Sequence, residues 1–318
     1  MAPWVPIREI ELAGPAGEPV DLRRLLTCHG VASLPPMRID TQAWTLEVTL
    51  PLDKGARTVR VQAGRRGFST VQVAGSRLRA SDGRDLLQRL RRMLSLEVDL
   101  SPFYRLARKD PELSWVCAGA GRMIRGASVF EDVIKTVCTT NCSWSGTVRM
   151  VSALVEHLGA RAEGAPPRGP HGRAFPTPQA MAAAPEGFYR SVARAGYRAA
   201  SLKRIAAAVA EGSLDLESLG DARSAAFSDD EVALRLRSLP GIGPYAAAHI
   251  GLLLGRTSTL ILDSWTRPTY ARLRGRGAVS DRAIQRRFAR YGPYAGLAFW
   301  MVLTRDWVGE MPALVDHA

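Results

Sequence analysis

Two adjoining motifs in the C-terminal third of the chain carry the residue types that could do chemistry. A Pro-Gly-Ile-Gly-Pro run at 240–244 lies between two segments whose apolar residues recur at helical spacing. Gly241 and Gly243 lack a Cβ, so they permit left-handed backbone angles and close approach of another molecule. Their amides would point outward at the N-terminus of the second helix, where amides and the helix dipole bind phosphate. We expect Ile242 to pack between the two helices; a plain glycine-capped turn is the alternative.

A carboxylate follows this hairpin. Asp263 lies twenty residues after Gly243, directly after the apolar residues at 260–262. It opens a segment of helical periodicity at 263–273, and aspartate is a good helix N-cap, which is the structural interpretation. The functional interpretation is a carboxylate in a partly apolar cleft, which can stabilise developing positive charge and orient or deprotonate a water molecule. The two interpretations are compatible, because a cap position also fixes the side chain.

The charge of the chain suits a polyanionic partner. The formal net charge is +13 over 318 residues, which favours nucleic acid over a membrane because no basic amphipathic segment stands out. Only four of the 43 basic residues are lysines, so codons rich in G and C are the alternative explanation for the many arginines. No apolar run approaches the ~20 residues of a membrane-spanning helix, and the N-terminus does not resemble a signal peptide. We expect a cytoplasmic protein with no membrane partner.

The cysteines do not form a metal-ligand pattern. Cys28, Cys117, Cys138 and Cys142 include no C-x-x-C motif, and no second cluster of ligands follows them. Zinc and iron-sulfur sites need such clusters. We therefore expect no metal, no iron-sulfur cluster and no other cofactor, and thiols that stay reduced.

Hydrophobic periodicity changes once along the chain. Apolar and polar residues alternate with a period of two at 44–52, 57–64 and 69–75, which predicts strands. From about residue 84 the period is that of helices, which are predicted at 84–94, 128–140, 143–159, 178–183, 186–194, 199–211, 229–237, 244–255, 263–273, 280–290 and 294–308. The sequence predicts an α+β protein, with a small β-rich N-terminal domain at 1–98 followed by an all-helical body at 99–318.

The hairpin and Asp263 at this spacing resemble the helix-hairpin-helix (HhH-GPD) DNA glycosylases, which include endonuclease III and the adenine, alkylpurine and 8-oxoguanine glycosylases. Residues 139–151 resemble the segment that enters the duplex beside the flipped base, with Asn141 at the gap-filling position. Residues 291–302 resemble the last helix of the 8-oxoguanine branch, which closes the base pocket. The β-rich region resembles the extra domain of the alkylpurine and 8-oxoguanine branches. The resemblance implies a glycosylase body of two helical lobes with the active-site cleft between them.

The same resemblance implies roles and partners. Asp263 takes the role of the catalytic carboxylate, and the implied DNA-binding residues are Asn141, Gly241, Ile242 and Gly243. The backbone carbonyls of Leu239 and Ile242 resemble a monovalent cation site. The implied partner is double-stranded DNA that contains a damaged base, bound in base excision repair by a monomer in the nucleoid of a bacterial cytoplasm.

One position departs from the bifunctional members of the family. Those enzymes place a lysine two residues after the second hairpin glycine, and that lysine forms a Schiff base with the sugar. This chain has Tyr245 there, and none of its four lysines lies in the hairpin or the following helix. A phenol cannot form an imine, so the expected enzyme is monofunctional. It would hydrolyse the N-glycosidic bond and leave the strand intact.

The base pocket departs from the 8-oxoguanine branch as well. Register with the family places Tyr245, His249, Trp265 and Phe299 in the pocket, and Phe299 replaces the glutamine with which that branch reads the base. Aromatic faces suit an electron-poor or cationic base, so the best match is an alkylated purine of the 3-methyladenine type. His249 could also protonate the leaving base. We assign Trp300 to the core, which is the usual place for aromatic residues at helical spacing.

Alternatives to this function remain open at the level of sequence. The chain could release another lesion, namely an oxidised purine, uracil, a mismatched base or hypoxanthine. It could also be a DNA-binding protein that uses the hairpin without catalysis. A third alternative is an unrelated helical protein whose arginine content reflects codon composition alone.

Overall fold

A computed structural model describes residues 3–52, 55–220 and 227–308 of the chain. Its N-terminal part contains an antiparallel five-stranded sheet in the order β1-β5-β4-β3-β2. The strands are β1 (Trp4–Glu11), β2 (Met37–Asp40), β3 (Thr45–Pro51), β4 (Ala56–Ala63) and β5 (Phe68–Ala74). The three strands predicted from the alternating pattern are β3, β4 and β5. The pattern had not singled out β1 and β2, which form the two edges.

The register of the central strands explains the alternating sequence. Val59 of β4 lies opposite Val48 of β3 and Val73 of β5, and Val61 lies opposite Leu46. These side chains share one face of the sheet and are buried. A shift of one residue would move all of them to the other face, so the apolar pattern fixes the pairing.

Twelve α-helices are present among the described residues. They are α1 (Leu22–Leu26), α2 (Ala80–Met93), α3 (Ser101–Ala107), α4 (Val129–Thr139), α5 (Trp144–Leu158), α6 (Pro178–Ala183), α7 (Arg198–Ala210), α8 (Asp229–Arg237), α9 (Pro244–Leu253), α10 (Thr266–Leu273), α11 (Asp281–Phe288) and α12 (Ala295–Leu303). The predictions at 178–183 and 229–237 match α6 and α8 to the residue. The segment predicted at 186–194 is a short π-helix at Phe188–Val192 instead.

Side-chain caps fix the starts of the helices that border the site. The Ser128 side chain accepts a hydrogen bond from the Glu131 amide at the start of α4, and Ser143 does the same for Gly146 at the start of α5. Ser228 and Glu231 form a reciprocal capping box at the start of α8. Each cap satisfies amides that have no partner within the helix. None of the described helices is long and apolar enough to cross a membrane.

Two hydrophobic cores organise the described part of the chain. The first contains the apolar face of the sheet together with residues of α1–α3 and α10–α12, and the second contains residues of α4–α8. Helix α9 belongs to both, since Leu252 packs in the first core and Ile250 in the second. The first core runs across the predicted domain boundary after residue 98, because Leu96 and Phe103 both belong to it. The sheet and the C-terminal helices are therefore packed as one unit.

Candidate active site

A cleft of about 710 Å³ lies where residues of the two cores face each other. Its walls come from five separate parts of the chain: the segment after α1, the α4–α5 connection, α9, the segment before α10, and the end of the chain from α12 onward. The aromatic residues of the wall are Trp144, Tyr245, Trp265, Trp300 and Trp307. Five residues predicted for the site line this cleft together: Asn141, Tyr245, His249, Asp263 and Trp265.

The predicted hairpin connects α8 to α9. Gly241 has a φ of +84°, and a Cβ at this residue would lie 3.1 Å from Ser201 Oγ, so both the backbone angle and the space favour glycine. Ile242 is buried in the second core, as expected. Gly243 has a φ of −93°, so of the two hairpin glycines only Gly241 uses a left-handed backbone angle. Gly243 is exposed and a Cβ there would contact nothing within 4 Å, which leaves its amide open to a ligand.

The two carbonyls proposed for a cation belong to the same turn. The Ile242 amide donates a hydrogen bond of 3.3 Å to the Leu239 carbonyl, which closes the turn. A carbonyl oxygen has two lone pairs, so this bond leaves one for another ligand. A monovalent cation at Leu239 and Ile242 stays a prediction. No group of three or more His, Cys, Asp and Glu side chains suited to a metal occurs within the described ranges.

Asp263 is held by the backbone that follows it. Its Oδ1 accepts hydrogen bonds from the amides of Trp265 (2.9 Å) and Thr266 (2.7 Å), and its own amide donates to Thr266 Oγ1 (2.9 Å). Helix α10 begins at Thr266, so Asp263 precedes the helix by three residues rather than opening it. The carboxylate acts like a cap in the turn before the helix. Its Oδ2 has no hydrogen bond within the described ranges and remains available to a ligand or water.

Tyr245 occupies the first turn of α9 beside Asp263. Burial and the nearby Asp263 carboxylate raise the pKa of the Tyr245 phenol, while a hydrogen bond with Thr139 opposes the shift. The phenol is therefore neutral at physiological pH. Its ring stacks on His249 one helical turn later, with ring centroids 6.2 Å apart.

His249 is nearly enclosed, with 5% of its surface exposed. Burial lowers the pKa of His249 to about 4, so its imidazole is neutral at pH 7. The predicted role of His249 as a proton donor to the leaving base therefore meets an obstacle, because a neutral imidazole is a poor acid. Its Nε2 is buried without a hydrogen-bond partner among the described residues. A buried polar atom without a partner costs about 1–3 kcal/mol.

Three tryptophans form one side of the cleft. Trp265, Trp300 and Trp307 contact each other pairwise, with ring centroids 5.6–6.0 Å apart. Trp300 is buried in the first core, as predicted, and it also lines the cleft, which was not predicted. Its indole Nε1 donates a hydrogen bond of 2.8 Å to the Cys28 carbonyl, which fixes the ring. Neither Trp307 nor Trp144 was predicted for the site.

Phe299 does not line the cleft, which corrects the predicted pocket. Its side chain is fully buried and packs against Tyr270 and Phe288, with ring centroids 5.7 and 5.2 Å apart. Successive residues of an α-helix point about 100° apart, so Phe299 and Trp300 lie on different faces of α12. The next residue, Trp300, lines the cleft instead.

Asn141 lies in the exposed connection between α4 and α5 and has a φ of +44°, which is uncommon for a residue other than glycine. The Arg198 guanidinium holds this conformation by donating to the backbone carbonyls of Thr140 and Asn141. Beside it, the exposed Tyr197 hydroxyl donates to the Thr140 carbonyl at 3.3 Å. Sequence reasoning missed both residues, because they are more than fifty positions away along the chain.

No lysine lines the cleft. Lys135 is fully buried, where its Nζ lies 2.6 Å from Glu131 Oε1 and donates to the Leu34 carbonyl. Lys109 and Lys203 are on other surfaces, and Lys54 lies outside the described residues. No arginine lines the cleft either, so Asp263 supplies the one formal charge among the described lining residues at neutral pH.

Comparisons with solved structures identify the fold. A 3-methyladenine DNA-glycosylase from Archaeoglobus fulgidus superposes with a TM-score of 0.71 at 20% identity, covering 97% of this chain and all of that one. The chain has the fold of a DNA glycosylase. MBOgg1 in complex with a low-affinity DNA ligand gives a TM-score of 0.70 at 17% identity, with 97% of this chain and all of that one covered.

The 8-oxoguanine glycosylase/lyase of Clostridium acetobutylicum, in complex with double-stranded DNA that contains cytosine opposite 8-oxoG, superposes with a TM-score of 0.68 at 19% identity. That match covers 90% of this chain and 91% of the other. Neither a family model nor a curated protein sequence matches the chain. The fold is therefore shared by 3-methyladenine and 8-oxoguanine enzymes, and it does not select between these two lesions.

Proposed function

We propose that this protein is a monofunctional DNA glycosylase of base excision repair that removes an alkylated purine of the 3-methyladenine type. The observation that carries the proposal is the position of Asp263 in the cleft. One carboxylate oxygen is fixed by two backbone amides, and the other is free, in a cleft lined by aromatic rings and without a lysine. A fixed carboxylate in such a cleft suits a reaction that develops positive charge beside it.

The proposed reaction begins when the damaged base leaves the stack and enters the cleft, at a cost of a few kcal/mol that is smaller for poorly paired lesions. Asn141 lies at the edge of the cleft, where it would fill the gap. The amide of Gly243 and the N-terminus of α9 would hold a phosphate of the same strand. These contacts would place the sugar of the extruded nucleotide near Asp263.

Hydrolysis would then follow through water. As the bond between C1′ and the base nitrogen breaks, its electron pair goes to the base and positive charge develops on the sugar. Asp263 stabilises that charge and takes a proton from the water molecule whose oxygen bonds to C1′. The products are a free base and an abasic site in an intact strand. Neither step needs a cofactor.

The charge and surface of the cleft favour an alkylated purine. A purine that carries an additional alkyl group on a ring nitrogen is cationic, so it is attracted by aromatic faces and by the Asp263 carboxylate. It also leaves as a neutral base, which removes the need for an acid. A neutral His249 fits that requirement, because burial lowers its pKa to about 4. We further propose that the enzyme acts as a monomer on nucleoid DNA in a bacterial cytoplasm.

A panel of duplex oligonucleotides, each with a single lesion, tests this function. Wild-type protein and the Asp263→Asn variant are incubated with alkylated, oxidised, uracil and hypoxanthine substrates, and alkali then cuts the strand at abasic sites. Asparagine keeps an oxygen for the two amides that hold residue 263, so the turn should survive. We expect Asp263→Asn to lower base release by about 100-fold or more and to leave DNA affinity unchanged.

Asp281→Asn is the matched control, because Asp281 pairs with Arg267 and does not line the cleft. Equal activity of wild type and Asp263→Asn would contradict the proposed role of the carboxylate. Strand cleavage without alkali, or a protein–DNA adduct trapped by borohydride, would show a lyase and refute the monofunctional assignment.

A further inference from the structure

The imidazole of His249, in the wall of the cleft, has a nitrogen without a hydrogen-bond partner. It lies on α9, lines the cleft, and is 5% exposed. Its Nε2 is buried and has no partner in the described part of the chain. A neutral imidazole carries one N–H and one lone pair, so Nε2 can act as a donor or an acceptor according to the tautomer. Either way the atom requires a partner.

The neighbouring histidine cannot be that partner. The His29 ring meets the His249 ring edge to face, with centroids 5.8 Å apart. Its Nε2 donates to the Ile124 carbonyl at 2.6 Å, and its Nδ1 accepts a hydrogen bond of 3.2 Å from the Ala32 amide. Both nitrogens of His29 are therefore engaged. His29 therefore contacts the His249 ring but forms no hydrogen bond with it. Gly30 and Val31, directly after His29, line the cleft.

The aromatic neighbours do not supply a hydrogen bond either. Tyr245 stacks on one side of the His249 ring, and its hydroxyl is not a hydrogen-bond partner of Nε2. Trp300 meets the ring at 6.5 Å, and its indole N–H is used by the Cys28 carbonyl. None of these neighbours is a hydrogen-bond partner of Nε2 in the described part of the chain, and the open space that the His249 residue borders is the cleft.

We propose that His249 is a specificity-determining residue that accepts a hydrogen bond through Nε2 from an exocyclic amino group of the extruded purine, with His29 positioning its ring. This inference rests on the proposed function. An alkylated, cationic purine has amino groups that are stronger hydrogen-bond donors than those of an ordinary purine, which favours an acceptor opposite them. Charge supports the same choice, because a neutral imidazole does not repel a cationic base. Aminopurines are therefore the preferred class among the alkylated bases.

Three 7-methylated bases, of which two carry an exocyclic amino group and one does not, test the proposal. Duplex oligonucleotides carry 7-methyladenine, 7-methylguanine or 7-methylpurine at one position; all three are cationic, and 7-methylpurine lacks an amino group. Base release is measured as kcat/KM for wild type, His249→Phe and His249→Gln. Phenylalanine keeps a ring that can stack on Tyr245 and removes both nitrogens, while glutamine offers an amide oxygen as an acceptor. His157→Phe is the control, because His157 also packs against an aromatic ring but lies outside the cleft.

We expect wild type to prefer at least one amino-bearing base over 7-methylpurine by about tenfold, as one hydrogen bond supplies. His249→Phe should lose this preference, because kcat/KM should fall further for the amino-bearing bases than for 7-methylpurine, and His249→Gln should regain part of it. His157→Phe should behave like wild type. Equal release of all three bases by wild type would overturn the inference and leave the proposed function standing. The same holds if His249→Phe lowers all three rates equally, which would assign the residue a structural role only.

Failure of the proposed function has a different signature, namely that wild type releases none of the three bases. The preference of wild type is measured without any variant, so the inference stays refutable if His249→Phe does not fold. A second measurement on wild type follows the ¹⁵N chemical shift of His249 Nε2. Addition of free 3-methyladenine should shift this resonance in the direction of a hydrogen-bonded acceptor, and an unchanged shift in the presence of bound base would overturn the assignment.

Discussion

Replacement of Asp132 by asparagine should stabilise the protein at neutral pH. Asp132 is buried in α4, where its Oδ1 accepts a hydrogen bond of 2.7 Å from the Gly126 amide and its Oδ2 has no partner among the described residues. Burial and the adjacent Glu131 carboxylate raise the pKa of Asp132 from 3.8 to about 7. The variant Asp132→Asn keeps the oxygen that the Gly126 amide needs and removes the charge.

The sign of the effect follows from proton binding. The native state holds the Asp132 proton up to about pH 7, whereas the unfolded chain releases it near pH 4. The contribution of Asp132 to the free energy of unfolding is therefore complete below pH 4 and is lost as the pH rises to about 7. A difference of about 3 pKa units corresponds to about 4 kcal/mol, at about 1.4 kcal/mol per unit.

Urea unfolding at a series of pH values from 3 to 8 measures this difference. Wild type and Asp132→Asn should be equally stable at pH 3, and the variant should become more stable by up to about 4 kcal/mol at pH 8. Asp99→Asn is a control of opposite sign, because hydrogen bonds from Ser101 lower the pKa of Asp99. A constant difference between wild type and Asp132→Asn across the pH range would refute the reasoning, since it would show that the buried carboxyl does not titrate as the structure implies.

Two pairs of neighbouring residues give further predictions. Gly241→Ala should cost about 1 kcal/mol or more, because its φ is +84° and Ser201 Oγ lies 3.1 Å from the added Cβ, whereas Gly243→Ala should leave the melting temperature unchanged. Equal melting temperatures for the two would contradict this. Phe299→Ala should lower the free energy of unfolding by about 3–5 kcal/mol as a core substitution. Trp300→Ala should also lower kcat/KM for base release about tenfold, because a stacking surface in the cleft is lost. A larger loss of kcat/KM in folded Phe299→Ala would instead support the prediction that Phe299 lines the base pocket.

Local sequence patterns predicted strands and helices well where many consecutive residues follow the same period. The strands β3, β4 and β5 each alternate over seven or eight residues, so their existence was clear. The edge strand β2 has four residues, which is too short for a periodic signal. Ser128 and Ser143 each accept a hydrogen bond from an amide three positions later, so the signal for these caps is local. Predictions that depend on nearby residues therefore held.

Predictions that depend on distant residues were less complete. Nothing local to Gly30 or Val31 indicates that they line a cleft with residues from 245 to 265, because that contact forms only when the two cores meet. The prediction that Phe299, and not Trp300, lines the cleft failed for another reason. Both are aromatic and lie on a helix that is buried all round, so the apolar pattern of α12 cannot tell which side faces the cleft.

Helix α9 links the parts of the site because it belongs to both cores. Its N-terminus presents Gly243 to solvent, its first turn carries Tyr245, and its second turn carries His249. A phosphate bound at the N-terminus would thus be held at a fixed distance from the groups that meet the base, since an α-helix rises only 1.5 Å per residue. Asp263 reaches the same cleft from a turn that its own hydrogen bonds hold rigid. In the proposed function, the groups that would hold the DNA backbone, the base and the water molecule are therefore positioned by one helix and one capped turn.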